Sequence, residues 1–117
     1  MPRRPAARLR APDRGDVVWL EFPEHRAGHE QGGRRPALVL TPLAYNSRTG
    51  SAIVCAVTSR VMGYPFEVVL PGGLPIEGAV LSDSVRFIDW HARKAQRAFS
   101  VPTLVIDAVR ERLGTLI

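Results

Sequence analysis

A single cysteine in 117 residues leaves no partner for an internal disulfide and too few thiols for a cysteine-rich zinc site. No apolar run approaches the roughly 20 residues needed to cross a bilayer, and no apolar signal-peptide core precedes the first strand. These absences predict a soluble chain with no membrane partner, in a reducing cytoplasm. Also missing are a glycine-rich phosphate loop, zinc-ligand spacing and a nucleophile elbow, so the common catalytic signatures supply no activity and no cofactor or metal is expected. Cys55, inside "AIVCAVT", reads as a buried small hydrophobe rather than a nucleophile.

What the chain does have is basic charge, unevenly spread. The net charge is +5, yet residues 1–14, "MPRRPAARLRAPDR", hold five of the sixteen basic residues and one of the eleven acidic ones. Residues 15–117 are therefore close to neutral, and net charge alone does not establish nucleic-acid binding. With three prolines and no helical apolar face, the arm 1–14 is expected to be disordered, ahead of one folded domain over 15–117.

Within that domain "GDVVWLEF" (15–22) reads as a first strand and "RPALVLTP" (35–42) as a second, with "PEHRAGHEQGGR" (23–34) a long mobile loop between them. "YNSRTG" reads as a turn, "SAIVCAVTS" as a buried strand, "RVMG" as a turn and "YPFEVVL" as a strand, before "PGGLPIEG" forces a reversal. "AVL" and "VRFIDW" read as two short strands and "QRAFSV" as a last one. The spacing of Leu104, Val105, Ala108, Val109 and Leu113 predicts a closing amphipathic helix between Pro102 and Gly114. The fold class is mainly β with a C-terminal helix, a small and strongly bent barrel.

The stretch "EQGGRRPALVLTP" (30–42) places two glycines and two arginines at the mouth of a strand. Glycine lets a backbone approach a ligand closely and the guanidinium matches phosphate oxygens, so the stretch reads as an anion site. His25 and His29 share the preceding loop and have the chemistry of an acid–base pair for RNA cleavage, although loop histidines are more often solvated bystanders; His91 has less claim. Tyr64, Pro65 and Phe66 have the shapes to stack on bases, but a turn followed by a core strand is the simpler account, taken for Phe66.

The blocks "GDVVWLEF", "EQGGRRPALVLTP", "YNSRTG", "AVTS", "GYPFEVVL" and "LSDSVRFIDW" follow one another in the order and at roughly the intervals of the MazF/PemK family of toxin endoribonucleases. The resemblance runs from Gly15 to the C-terminus. It implies an SH3-like β-barrel of the MazF/PemK/CcdB type, a homodimer that cuts single-stranded RNA, usually mRNA, at a short sequence, and neutralisation by a cognate MazE-like antitoxin. Carried over residue by residue, the family's functional arginine falls on Arg35 and its strand-end threonine on Thr58. Phe22, Glu30, Ser59, Ser84 and Arg86 lie in neighbouring matched blocks as candidates for holding RNA, and Glu30 has the charge to orient Arg35. Position alone gives Arg35 an equal claim to a surface salt bridge and Thr58 to a local backbone hydrogen bond. Where the family often has glutamine this chain has Ser84, too short for a bidentate contact with adenine, so the target sequence does not transfer.

In the chemistry the resemblance implies, the 2′-hydroxyl attacks the adjacent phosphorus without a metal, and Arg35 stabilises the phosphorane. Two other classes share the fold. A toxin that grips DNA gyrase would need anchoring aromatics on the last helix, which "VPTLVIDAVRERLGTLI" lacks, and a non-catalytic SH3-like module would need an aromatic groove, where only eight aromatic residues exist.

Overall fold

Alternation along the first strand sets the two sides of the sheet. β1 (Asp16–Phe22) sends Val18, Leu20 and Phe22 into one cluster of buried side chains and Val17 into another, the period-two pattern of a strand buried on both faces. The computed structural model describes residues 10–22 and 33–117. Within them β1 is followed by β2 (Gly33–Val39), α1 (Leu43–Thr49), β3 (Ser51–Thr58), β4 (Glu67–Val69), β5 (Ala79–Asp89), β6 (Gln96–Ser100) and α2 (Thr103–Gly114). The strands form one sheet in the order β4, β5, β3, β2, β1, β6, with every pair antiparallel. α2 lays Val105, Ile106 and Val109 on the cluster that holds Val17, Leu38, Cys55 and Val80. The fold is mainly β with a C-terminal helix, as the sequence predicts.

Four local features differ from the reading of the sequence, each for a visible reason. "YNSRTG" is not a turn but most of α1, which runs from an extended Pro42 to Gly50 in the left-handed region. Asn46 is the cause. Fully buried, its side chain accepts from Thr41 Oγ1 at 2.6 Å and donates to the carbonyls of Pro12 and Thr41, both at 2.8 Å, while its backbone carbonyl accepts the Trp90 indole N–H at 2.8 Å. An unpartnered buried amide would cost about 1–3 kcal/mol, so this complete set of partners is what allows the position. It also ties residues 10–14 to the barrel, where Pro12 is buried and the Asp13 carboxylate accepts the Leu43 N–H at 2.9 Å. Residues 1–9 lie outside the described residues.

"AVL" and "VRFIDW" are one strand. Between the rungs Cys55–Val85 and Val57–Val80, β5 uses residues 81–84 against Ala56 alone on β3, a bulge that bends the strand without ending it. The polar "SDS" sits in that bend, and the Ser82 N–H still bonds to the Phe66 carbonyl at 2.9 Å. "YPFEVVL" is strand only at Glu67–Val69. The buried Glu67 carboxylate accepts N–H bonds from Met62 and Gly63, at 3.0 and 2.9 Å, and so curls the preceding residues; Phe66 is half-buried. On α2, Leu104 is 77% exposed and Ile106 is buried in its place. Val105, Ile106 and Val109 define a face from which Leu104 points away at 100° per residue.

Gly78 positions one of the candidate site residues. Its φ is +145°, and a Cβ there would lie 2.0 Å from the Thr58 carbonyl oxygen. Since Thr58 pairs with Ala79 in the β3–β5 ladder, only glycine lets the chain pass this close to the end of β3. Gly78→Ala is expected to lower stability by about 1–3 kcal/mol, read as a drop in denaturant midpoint. Gly72→Ala, in open space at an ordinary φ, should leave the midpoint nearly unchanged; equal midpoints for both variants would contradict the close approach.

Cys55 is buried as the sequence predicts, its thiol facing the Ser82 carbonyl at 3.8 Å. Burial first, and the Asp83 charge second, push its pKa from 9.0 to about 12. The folded thiol thus keeps its proton between pH 9 and about 12 while the unfolded one loses it. This contribution to stability is full below pH 9 and is lost as pH rises toward 12. Iodoacetamide at pH 8.5 should therefore leave the native protein unmodified and alkylate it in denaturant, as mass spectrometry would read directly.

Candidate active site

β2 and β3 pair Ala37 with Ala56, Leu38 with Cys55 and Val39 with Val54, and there the rungs end. Two steps further, the same register places Arg35 across from Thr58, both on the face that carries Ala37 and Ala56. The strands part at this point. A recess of about 360 Å³ opens in the gap, lined by Arg35, Thr58 and Ser59 together with Trp19, Arg34 and Ile76. Arg35 also lines a neighbouring recess of about 190 Å³ with Phe22, Val54, Ser84 and Arg86. Six of the seven residues nominated from the sequence thus line these two adjoining recesses, which share Arg35, Pro36 and Val57. The seventh, Glu30, lies outside the described residues, as do His25 and His29.

The two adjacent arginines have different work, because alternation sends them to opposite faces. Arg34 is tied down: Nη2 donates to the Trp19 carbonyl at 3.1 Å and to Gln96 Oε1 at 2.9 Å, and Nη1 stands 3.5 Å from the Glu21 carboxylate. Arg35 is half-buried, and its side chain makes no hydrogen bond or ion pair with another described residue. That disposes of the salt-bridge alternative as far as the described residues reach. Thr58 Oγ1 accepts the Arg60 N–H at 3.1 Å, so the local backbone bond foreseen for it exists. Because that bond uses an oxygen lone pair, the hydroxyl proton is left to donate.

Phe22 is buried at the edge of the smaller recess, with the Arg86 guanidinium 5.0 Å and the Arg93 guanidinium 5.2 Å from its ring centroid. Such stacking holds the cations over the ring. No described carboxylate lines either recess, whereas Arg34, Arg35 and Arg86 do. The arrangement can bind a phosphate, donate from a guanidinium and a hydroxyl to the same oxygens, and hold bases against apolar walls.

Three neighbouring residues were not foreseen. Trp19 and Ile76 line the larger recess, and Arg93 reaches Phe22 from the turn before β6. Trp19 was open to discovery, since along β1 it alternates with Val18 and Leu20, so its indole belongs to the other side; nothing in the local sequence marks Arg93. Tyr64 and His91 line neither recess. The Tyr64 hydroxyl donates to Asp83 Oδ2 at 2.8 Å, a bond that raises its pKa, and His91 packs edge-on against Trp90 with ring centroids 5.9 Å apart.

Comparison with known proteins supplies the family. The family model for the PemK-like, MazF-like toxins of type II toxin–antitoxin systems matches residues 13–117. The endoribonuclease toxin MazF of Escherichia coli K12 is 40% identical over 106 residues, covering 91% of this chain and 94% of that protein. The endoribonuclease PemK of Escherichia coli is 39% identical over 123 residues, covering 100% and 90%. Among solved structures, a MazE–MazF crystal form from Deinococcus radiodurans superposes with a TM-score of 0.84 at 54% identity, covering 91% of this chain and 95% of that one. A mycobacterial endoribonuclease in complex with its cognate antitoxin has the same fold at 21% identity, with a TM-score of 0.71. The chain belongs to the PemK-like, MazF-like family of toxins of type II toxin–antitoxin systems, a family of RNA-cleaving toxins with this SH3-like barrel.

Proposed function

We propose that this protein is a toxin endoribonuclease that cleaves single-stranded RNA at a short sequence, with Arg35 and Thr58 as its catalytic residues. The observation that carries the reading is the meeting of the Arg35 guanidinium, unpaired among the described residues, with the Thr58 hydroxyl in one recess at the parted ends of β2 and β3.

In the reaction the 2′-hydroxyl oxygen attacks the adjacent phosphorus while the bond from phosphorus to the 5′-oxygen breaks. The products are a 2′,3′-cyclic phosphate and a free 5′-hydroxyl. Negative charge grows on the non-bridging oxygens, where two guanidinium N–H groups and the Thr58 O–H can donate. A guanidinium is protonated at neutral pH and so cannot start the reaction as a base. Arg35 therefore acts by electrostatics first, and by proton donation to the leaving oxygen second. For the proton of the 2′-hydroxyl, water suffices, and Glu30 or His29, ahead of β2 in the chain, are the chain's own acceptors. Phe22, Ser84 and Arg86 hold the neighbouring base and phosphate, with Ser59 beside Thr58. Ser84 offers one hydroxyl, so base choice there differs from that of a longer amide side chain.

The scheme calls for no metal, and among the described residues no group of three or more His, Cys, Asp or Glu side chains is placed to hold one. Among them, too, no helix is long and apolar enough to cross a membrane. The Deinococcus relative is crystallised as a MazE–MazF complex. By that likeness the toxin is restrained by a cognate MazE-like antitoxin, whose acidic extended segment would compete for the same arginines, and our reading keeps it a homodimer in the cytoplasm.

Arg35→Ala and Thr58→Ala should each lower kcat, the arginine variant by roughly 10²–10³-fold, which is the usual consequence of removing one donor to a developing oxyanion. The melting temperature should stay near that of the parent, because neither side chain belongs to the buried core. A fluorogenic RNA assay beside a thermal melt checks both; full activity in either variant removes that residue from the site. The nucleophile is checked separately. A substrate with one deoxyribose on the 5′ side of the cut should resist cleavage, and EDTA should leave the parent reaction unchanged. Cleavage of the deoxy substrate would mean attack by water.

A further inference from the structure

Trp19 has a second neighbour. Besides lining the Arg35 recess, it lines a larger one of about 580 Å³ on the β1–β6 side, with Arg10, Ala11, Pro12, Gln96 and Arg97. The two recesses are joined chemically as well, because Arg34 of the first donates to Gln96 Oε1 of the second. The larger recess has the volume of a ligand site, roughly 300–1,000 Å³, and nothing in the cleavage scheme uses it.

We infer that this recess is a subsite for the RNA strand on one side of the cut, with Trp19 as a stacking platform and Arg10 and Arg97 as phosphate contacts. The inference rests on the endoribonuclease reading and extends it. A strand bound at Arg35 has two directions in which to leave, and each meets an aromatic ring attended by arginines. One way lies Phe22 with Arg86 and Arg93; the other way lies Trp19 with Arg34, Arg10 and Arg97. Rings interleaved with guanidinium groups are what a single strand needs, since every base has a face and every nucleotide a phosphate.

The chemistry of the second recess fits an anion. Arg10 is exposed and makes no hydrogen bond with another described residue. Arg97 spends Nε on Asp16 at 3.2 Å and Nη2 on Ser100 at 3.0 Å, leaving Nη1 toward solvent. Asp16, the acid in this recess, is buried and already holds Arg97, the Ser100 hydroxyl and the Asp13 N–H. With its oxygen engaged by Arg34, Gln96 keeps two amide N–H donors for a base edge. Residues 10–12 thus form a wall of the recess, anchored where the Asn46 amide donates to the Pro12 carbonyl.

The test uses the shortest RNA that the full chain cleaves, and the same RNA lengthened by six nucleotides on the 5′ or the 3′ side. For the parent protein, extension on one side or on both should raise kcat/KM, and the extension that reaches Trp19 is the one whose advantage depends on Arg10. In Arg10→Glu that advantage should shrink roughly tenfold, and the salt slope of long-RNA affinity, measured on the non-cleavable deoxy strand, should flatten by about 0.7 for each phosphate that is no longer neutralised. Arg97→Gln should do the same, and a thermal melt reports whether removing its pair with Asp16 disturbs the fold; Arg10→Glu carries the test if it does. An advantage and slope unchanged in Arg10→Glu would overturn the subsite. If RNA binding is unchanged but affinity for the cognate antitoxin falls, the recess takes a protein segment and the inference is wrong. If the parent protein cuts no RNA of any length, the endoribonuclease reading itself fails.

Discussion

The candidate site depends on one feature of the sheet, the parting of β2 from β3 beyond the Ala37–Ala56 rung. Up to that rung the two strands share hydrogen bonds and a buried face. Past it the register still aligns Arg35 with Thr58, but the backbones no longer close on each other, and the gap between them is the recess. A ladder continued to the strand ends would have joined the backbones and left no room for a ligand. A wider divergence would have separated the guanidinium from the hydroxyl. The geometry that remains sets a charged donor and a neutral one on opposite walls, each near the end of an otherwise well-buried strand. Rigid elements thereby hold the guanidinium and the hydroxyl while the space between them stays open.

On its far side β3 meets a second irregularity. β5 pairs with β3 in two registers separated by the bulge at residues 81–84, and the second register brings Ala79 against Thr58 with Gly78 pressed on its carbonyl. The bend delivers Ser84 and Arg86 to the same recess as Arg35. Core and site are thus coupled through a few points of backbone approach. Ser82, at the middle of the bend, is buried, its carbonyl receives the Cys55 thiol, and its hydroxyl finds no partner among the described residues. Keeping an unsatisfied hydroxyl at the bend has a stability cost of the usual order for a buried polar group, about 1–3 kcal/mol.

The sequence shows the strands more readily than the site. β1, β3 and α2 follow from apolar pattern and flanking glycine or proline, because burial on a sheet or helix face leaves a period in the chain. α1 does not follow, since "YNSRTG" has turn composition and becomes helical through the tertiary bonds of Asn46, which no local window contains. Similarly, Arg34 and Arg35 look alike in a row of residues. What separates them is alternation along β2 and the presence of Glu21, Gln96 and the Trp19 carbonyl on one side only. The resemblance to known toxins picked out Arg35 and Thr58 without that knowledge; chemistry alone would have left each with two readings. Trp19 shows the converse. Its position in the strand pattern was informative, yet its neighbours come from β2, β3 and β6, and the meaning of the side chain appears only when those strands are assembled.

Charge follows the same logic and explains how a nearly neutral body can present a cationic recess. Six of the described carboxylates are engaged within the fold. Asp13 accepts from the Leu43 N–H, Asp16 holds Arg97, Glu21 faces Arg34 and Lys94, Glu67 collects the N–H groups of Met62 and Gly63, Asp83 accepts from Tyr64, and Asp89 accepts from the Ala92 N–H. None of the six lines the recesses around Arg35. The cations are distributed differently: Arg34, Arg86 and Arg93 are anchored by carbonyls, carboxylates or a ring, while Arg35 spends no donor on another described residue. A local positive field therefore arises from which charges the fold consumes, with the net charge of the whole chain contributing little at this range. Adding arginines elsewhere on the surface would raise the pI without reproducing it, whereas releasing a single carboxylate, such as Glu67 from its turn, would alter the loop that follows Thr58 directly.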